Sequence, residues 1–285
     1  MSFNPTATLS LLLAGTLATT SVAEDWQALA IPGADIAILS DSAALSDTDK
    51  EAFLRTAEIR DRETLPVGVT RPQRASLDDG TFQHPAHIQT VDISRDPNGP
   101  FRHFRDCYKY NVAAYRLASL LGFDRVPVSV ERKIGRKTAA VTWWVDDVAM
   151  MEVEREEEGI QPPDPAAFDH EMWQVRIFSQ LTHNTDLNPG NVLITNDWKL
   201  WVIDFTRAFR VDHEIDRAEL AGPICRSLYR AMRDVDEELL LAELRPHLTE
   251  PEIEVLLTGR DEIVEYYDER VASRGEAAVF CDEVH

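Results

Sequence analysis

Three polar residues in the second half of the chain have the types and the spacing to hold a metal ion against phosphates. Asp186 is followed five residues later by Asn191, and Asp204 comes after two short apolar segments. A carboxylate can orient and deprotonate an attacking hydroxyl, and an amide oxygen and a second carboxylate are oxygen ligands of the kind that Mg²⁺ binds. This combination predicts phosphoryl transfer from a nucleotide to a hydroxyl group.

The segment between these residues predicts a β-hairpin that would bring them together. Two short apolar runs, 192–195 and 200–203, are separated by Asn196-Asp197, a dipeptide with turn chemistry. An antiparallel hairpin places its two open ends side by side. The first two polar residues precede the first strand and the third ends the second strand, so we expect all three side chains in one small region.

Two other interpretations of this segment are a calcium-binding loop and a purely structural hairpin. A calcium-binding EF-hand loop needs Gly at position 6 and Glu at position 12. Counted from Asp186, these positions hold Asn191 and Asp197, and a count from Asn184 also finds other residue types. A purely structural hairpin stays open as an alternative, because Asn, Asp and Gly are ordinary loop residues. It would not require acidic residues at both open ends.

The order of these residues resembles the catalytic loop and the metal-binding motif of the protein-kinase-like superfamily. The loop NTDLNPGN, residues 184–191, and Asp204-Phe205 carry the resemblance. The loop is closer to the atypical branches, namely HipA-like bacterial kinases, phosphoinositide kinases and secretory-pathway kinases. The resemblance implies an α+β, bilobal protein-kinase-like fold with a small antiparallel β N-lobe and a helical C-lobe. It also implies ATP as the nucleotide, Mg²⁺ or Mn²⁺ as the metal, Asp186 as the catalytic residue, and Asn191 and Asp204 as metal ligands.

The part of the chain that would hold the phosphates departs from the family pattern. In the family, a lysine on the third strand forms an ion pair with a glutamate on the following helix. Gln89 and Asn111 stand at the equivalent positions here, and two amides can hydrogen-bond to each other where the ion pair would be. We therefore expect the phosphates to contact Gln89, Asn111, Lys109 or Arg71, with Arg74 as a further candidate.

These departures leave two functions open. The first is an atypical kinase-like phosphotransferase that moves the γ-phosphoryl of ATP to an unknown hydroxyl-bearing acceptor. The second is a non-catalytic pseudokinase that binds a nucleotide or a protein partner. The sequence favours the enzyme because Asp186, Asn191 and Asp204 are all retained. It does not decide between phosphoryl and adenylyl transfer.

Composition and pattern divide the chain into five segments. Residues 1–23 lack charged side chains and contain an apolar run before Ser21-Val22-Ala23. This predicts a secretory signal peptide and an exported protein, periplasmic or secreted. The other segments are an N-terminal extension with a helix (24–63), the N-lobe (64–145), an acidic connector (146–163) and the helical C-lobe with the hairpin (164–285).

Local patterns predict the main elements within these segments. Capping-box spacing at Ser46 predicts a helix that reaches about Glu63, and Asp164-Pro165 predicts a helix that ends at Leu181. The acidic connector is expected to be a solvated loop. The other expected elements are a helix over 102–121 and strands at 67–69, 74–77, 87–91, 126–130 and 139–145.

The charge and the cysteines set further limits. The chain has 50 Asp and Glu against 29 Lys and Arg, a formal net charge of −21. Nucleic-acid-binding proteins usually present a basic face, so we expect neither nucleic acid nor an anionic membrane as the main partner. The apolar run near the N-terminus is too short to span a membrane. Cys107, Cys225 and Cys281 allow at most one disulfide, and the sequence does not choose the pair.

Overall fold

The computed structural model describes residues 45–65, 72–94 and 105–281. The predicted signal peptide, the strand expected at 67–69 and Arg71 lie outside the described residues. Within them, an antiparallel sheet is combined with a mainly helical part, which confirms the predicted α+β class. None of the helices described is long and apolar enough to cross a membrane.

Five antiparallel strands form the main sheet of the first part. In chain order the strands of this part are β1 (Glu58–Thr64), β2 (Gln73–Asp78), β3 (Gln83–Gln89), β4 (Asp92–Ser94), β5 (Arg105–Cys107), β6 (Ser129–Ile134) and β7 (Lys137–Trp143). The main sheet has the order β1-β2-β3-β7-β6, and β4 pairs with β5 separately. Gly80 and Gly135 lie in the two tight turns with φ of 90° and 62°, a conformation that glycine adopts without steric cost.

The first strand corrects a prediction from the sequence. The helix that begins after Ser46, α1 (Asp47–Thr56), ends seven residues before Glu63, and the residues expected to continue it form β1. This charged segment gains an antiparallel ladder with β2 and an ion pair of 3.2 Å between Arg60 and Asp78. Pairing within the sheet therefore overrides the local preference for helix.

One face of the sheet packs on α1 and on a second helix, α2 (Lys109–Leu120), to form a buried core. Trp143 lies in this core and stacks on His84, with ring centroids 3.7 Å apart. The helix expected over 102–121 begins later than predicted, because Arg105–Cys107 pairs with β4 first. The sheet residues on the core face are Ala75, Leu77, Ala86, Ile88, Ala139 and Val141.

The acidic connector is the second correction, because it is structured and not a solvated loop. It contains β8 (Val148–Met151) and α3 (Glu152–Glu158). Glu152 and Glu154 are both buried. Glu152 pairs with Arg155 at 2.6 Å, and Glu154 accepts a backbone N–H at the start of the helix at 2.8 Å. Acidic residues at a helix N-terminus are favoured by the helix dipole, so these glutamates stabilise local structure.

The second part is built from helices around a three-stranded sheet. Its long first helix, α4 (Pro165–Leu181), begins as predicted, because Asp164 accepts hydrogen bonds from two backbone N–H groups of the first turn. β9 (Val192–Thr195) pairs with β10 (Leu200–Val202) on one side and with β8 on the other. The remaining helices are α5 (Arg226–Asp234), α6 (Glu237–Leu244) and α7 (Glu250–Arg274).

The structure also identifies which cysteines meet. β11 (Ile224–Cys225) and β12 (Phe280–Cys281) form a parallel pair in which Cys225 lies opposite Cys281. Their Sγ atoms are 3.2 Å apart. Cys107 is buried at the end of β5. Cys225 and Cys281 are therefore the two thiols placed to form a disulfide.

Candidate active site

The hairpin predicted from the sequence is present and joins the residues expected at its open ends. β9 and β10 pair antiparallel, with Val192 opposite Val202 at the open end. Beyond this pair, the N–H of Ile203 donates to the carbonyl of Asn191 at 3.0 Å. This bond places Asn191 beside the residue that immediately precedes Asp204.

The loop before the hairpin is fixed by its own amide side chains. The N–H of Asp186 donates to Oδ1 of Asn184 at 3.0 Å. The carbonyl of Asp186 accepts from Nδ2 of Asn191 at 2.9 Å and from Nδ2 of Asn188 at 3.1 Å. Local bonds from Asn side chains to the backbone are the normal way to hold such a turn. They set the position of the Asp186 carboxylate and turn the Asn191 amide oxygen away from the Asp186 carbonyl.

A buried histidine holds the start of this loop against the long helix α7. His183 has a positive φ of 44° and its Nε2 lies 3.3 Å from the carbonyl of Val255. Burial lowers the pKa of His183, so its neutral ring can donate this bond at neutral pH. A Cβ at Gly259 would lie 2.6 Å from the same Nε2. Glycine is therefore required for the close approach, a role that the sequence did not reveal.

Asp204 is held in an uncommon backbone conformation at the end of β10. Its φ is 57°, in the left-handed region that Asp and Asn adopt more readily than most residues. Thr206 Oγ1 donates to Oδ1 of Asp204 at 2.9 Å. Thr206 therefore orients the Asp204 carboxylate by a hydrogen bond.

The neutral pair expected from the sequence is present in the buried interior. Asn111 Nδ2 donates to Gln89 Oε1 at 3.0 Å. Oδ1 of Asn111 accepts the N–H of Phe205 at 2.8 Å. One amide side chain therefore connects β3 with the segment that follows Asp204, and this second contact was not anticipated.

A further acidic residue, Asp106, joins the site. Arg207 lies between two carboxylates, with Nη1 3.1 Å from Asp186 Oδ2 and Nε 3.3 Å from Asp106 Oδ2. Asp106 is only 3% exposed. The sequence contained no signal for it, because its position depends on the pairing of β4 with β5 and on a backbone bond from Cys107 N to the carbonyl of Thr206 at 2.8 Å.

The surroundings of Asp186 make it a better proton acceptor than an ordinary aspartate. Burial raises the pKa of the Asp186 carboxyl above its usual range. The charge of Arg207 opposes this shift, while the negative charges of Asp204 and Asp106 add to it. A raised pKa suits a carboxylate that accepts a proton from a hydroxyl near neutral pH.

The oxygen donors of this site fit a divalent metal only together with a bound ligand. Asn191 and Asp204 offer an amide oxygen and a carboxylate, which are hard ligands suited to Mg²⁺ and Mn²⁺. Among residues 45–65, 72–94 and 105–281, no group of three His, Cys, Asp or Glu side chains could hold a metal by itself. The remaining ligands would have to come from water or phosphate, as is usual for Mg²⁺.

Lys109 lies on a different side of α2 from Asn111. The two residues are two positions apart, which on an α-helix separates their side chains by about 200°. The charge of Lys109 contributes to lowering the pKa of His247, at the C-terminal side of α6. The structure connects Asn111, not Lys109, with Gln89 and Phe205. A contact between Lys109 and phosphate stays a prediction.

Solved structures share this fold at low sequence identity. The structure of hydra Fam20 with sugar has a TM-score of 0.62 at 15% identity, covering 84% of this chain and 93% of that chain. The Golgi casein kinase with Mn/ADP bound has a TM-score of 0.59 at 14% identity, covering 82% and 78%. The Helicobacter pylori proinflammatory kinase CtkA has a TM-score of 0.50 at 12% identity, covering 78% and 98%.

These comparisons establish the fold. No protein-family model matches the sequence, and no curated protein matches it either. The chain has the protein-kinase-like fold that its catalytic-loop sequence predicted, with an antiparallel β part and a helical part. At these identities the activity has to be argued from the chain's own residues.

Proposed function

We propose that the chain is an atypical kinase-like phosphotransferase that moves the γ-phosphoryl group of ATP to a hydroxyl-bearing acceptor. One observation carries the proposal. Asn191 donates to the carbonyl of Asp186 and accepts from the N–H of Ile203, the residue before Asp204, so one loop and hairpin carry all three side chains. The pKa of Asp186 is raised by burial and by neighbouring carboxylates. A structural hairpin needs no carboxyl group with a raised pKa.

In this proposal each residue has a separate role. Asp186 orients the acceptor hydroxyl and takes its proton, while Arg207 holds the carboxylate in place. Asn191 and Asp204 hold Mg²⁺, or Mn²⁺ in its place, and that ion supplies charge neutralisation at the nucleotide phosphates. Most of the catalysis would then come from positioning and electrostatic stabilisation.

Contacts to the phosphates and the site of action are also proposed. Gln89 and Asn111 offer amide groups beside the segment after Asp204, and Arg71 and Lys109 remain candidates for charged contacts. Export to the periplasm or the outside is supported by the uncharged, apolar pattern of residues 1–23. A fold relative that is a Golgi kinase is consistent with export.

A second function is favoured by one specific observation. The buried Gln89–Asn111 pair is neutral where the family has a lysine and a glutamate. A pseudokinase that binds a nucleotide or a protein partner without transfer would need no such ion pair. The retained carboxylates, together with the hydrogen bonds that orient them, favour the enzyme.

Thermal unfolding with and without Mg²⁺-ATP tests the nucleotide site. A ligand that binds only the folded state, at about 100 times its Kd, stabilises it by about 2.7 kcal/mol, which raises Tm by several degrees. We expect this rise for the parent protein and its loss in Asp204→Asn. Asparagine tolerates the positive φ of Asp204 and keeps an acceptor for Thr206, so the variant removes charge with little strain.

A matched variant controls for general charge effects. Asp212→Asn removes an acidic group that is 43% exposed and pairs with Arg210 outside the site, and it should keep the full shift. No shift in the parent at millimolar Mg²⁺-ATP would contradict the nucleotide site. A shift without turnover on any supplied acceptor would support the pseudokinase.

A further inference from the structure

The face of the main sheet that carries Gln89 borders the candidate active site, which we call the cleft, and it also carries Arg74. Residues opposite each other in an antiparallel ladder share a face, and residues two apart on a strand do too. Arg74 on β2 lies opposite His87 on β3, and His87 lies opposite Thr142 on β7. This is the face of Gln89, opposite to the face that carries Leu77 and Ile88 into the main core. Arg74 therefore points to the same side of the sheet as Gln89.

The guanidinium of Arg74 is enclosed but not satisfied. Its side chain is 13% exposed. Nε and Nη1 are buried and find no hydrogen-bond acceptor among the residues that the structure describes. The carboxylate of Glu63 is 3.9 Å from Nη1, beyond hydrogen-bonding distance, and that side chain is 52% exposed. Two buried N–H donors without acceptors are costly, so an acceptor that is not part of the described chain is expected.

The ring of Trp144 fixes the position of this guanidinium. The Arg74 guanidinium carbon lies 4.8 Å from the ring centroid of Trp144, within the range of a cation–π interaction. Stacking on an aromatic face orients the planar group and leaves its N–H edge for an anion. Arg74 is thus held in one place before any ligand binds.

The neighbour of Arg74 is within electrostatic reach of the proposed metal ligand. Burial lowers the pKa of His87, and the carboxylate of Asp204 acts in the opposite direction. His87 is directly opposite Arg74 across the ladder. Arg74 also shares its sheet face with Gln89, which Asn111 connects to Phe205, the residue after Asp204. A polyphosphate suits a cation and a proposed metal-binding carboxylate on the same side of the sheet.

We propose that Arg74, on β2, is the phosphate-binding cation of this cleft. It supplies the positive charge that the neutral Gln89 on β3 does not. The inference rests on the proposed function, because it assumes that a nucleotide enters the cleft. Its ligand class is the nucleoside di- or triphosphate, bound through phosphate oxygens by a planar donor fork.

Binding measurements on Arg74→Ala test this assignment. Dissociation constants for ATP, pyrophosphate and adenosine are measured by calorimetry, with Mg²⁺ and again with EDTA. Loss of hydrogen bonds to a charged group should weaken ATP and pyrophosphate about 10- to 100-fold under both conditions. Adenosine has no phosphate, so its affinity should not change. Arg74→Lys keeps the charge but not the fork, and should recover part of the loss.

A matched arginine and the Asp204 variant separate the outcomes. Arg60→Ala removes a half-exposed arginine from β1 of the same sheet and should leave all three affinities unchanged. If Arg74→Ala binds ATP as the parent does, while Asp204→Asn loses the Mg²⁺-dependent part, only this inference is overturned. An equal loss of adenosine and ATP in Arg74→Ala also overturns it, because the role is then structural. A parent that binds neither ATP nor pyrophosphate overturns the proposed function as well.

Discussion

The two walls of the cleft differ in how far apart their interacting residues lie in the sequence. We call residues 184–206 the hairpin wall, and the cleft-facing residues of β2, β3 and α2 the sheet wall. On the hairpin wall, the hydrogen bonds to the backbone of Asp186 join residues no more than five positions apart. On the sheet wall, Asn111 reaches Gln89 across 22 positions and Phe205 across 94.

The walls also differ in the charge of their side chains. The hairpin wall carries Asp186 and Asp204. The sheet wall carries a neutral amide pair and the buried Arg74. The residues proposed for proton and metal chemistry therefore lie in one contiguous segment. The groups proposed to bind the phosphates come from separate strands and a helix.

The largest effect is expected on the hairpin wall, from Asp186→Asn. Loss of a general base lowers the transfer rate by about 100- to 10,000-fold. Because Asp186 is not assigned to the metal, the affinity for Mg²⁺-ATP should stay within about threefold of the parent. Release of phosphate from Mg²⁺-ATP, with and without added acceptors, measures the rate. If the variant transfers phosphate at the parent's rate, Asp186 is not the general base.

Restoring charge on the sheet wall should cost stability unless both partners change. Gln89→Lys or Asn111→Glu alone buries an unpaired charge, which destabilises a protein by about 3–5 kcal/mol. In the double variant the new ion pair should recover most of this loss, because a glutamate can also accept the N–H of Phe205. Denaturant unfolding of all four proteins measures the coupling. Purely additive losses would show that the amide pair is not a replaced ion pair.

A smaller change is expected from Asp106→Asn. Asp106, on β5, pairs with Arg207, which also pairs with Asp186 of the hairpin wall. Removal of the Asp106 charge takes away one influence that raises the pKa of Asp186. It also leaves the ion pair between Arg207 and Asp186 in place. The pKa of Asp186 should therefore fall. A carboxyl ¹³C NMR titration, assigned with Asp186→Asn, measures it. An unchanged or raised pKa would contradict this effect of Asp106.

A histidine outside both walls should affect only the pH dependence of stability. Burial, and the charges of Arg116, Lys109 and Arg55, lower the pKa of His247 to about 4. The unfolded chain has a histidine pKa near 6.5, so between pH 6.5 and 4 it binds a proton that the folded protein does not. Stability should fall as the pH falls through this window.

Comparison of His247→Gln with the parent isolates this contribution. The variant should lose less stability than the parent between pH 6.5 and 4, measured by denaturant unfolding. A residual slope is expected, because burial also lowers the pKa of His183. Identical slopes in the two proteins would show that His247 does not carry the effect.

The parts of the site that could be predicted from the sequence are those held by neighbours along the chain. The hairpin followed from a turn dipeptide between two apolar runs, and α4 followed from an N-cap and a first-turn proline. The Gln89–Asn111 hydrogen bond was also predicted, but through a family resemblance that supplied the distant contact. Such local interactions can be predicted from the sequence because the interacting residues lie within a few positions of one another.

By itself the sequence determined the carboxylate-bearing hairpin and the main helices, since caps, turns and apolar periodicity act over short distances. Only the tertiary structure decided that residues 58–64 form a strand, that Asp106 enters the site, that two nitrogens of Arg74 are buried without acceptors, and that Cys225 lies next to Cys281. Each of these depends on a ladder or a charge supplied by a distant segment. Such long-range contacts stabilise the protein only when the chain is folded, so no local sequence pattern predicts them.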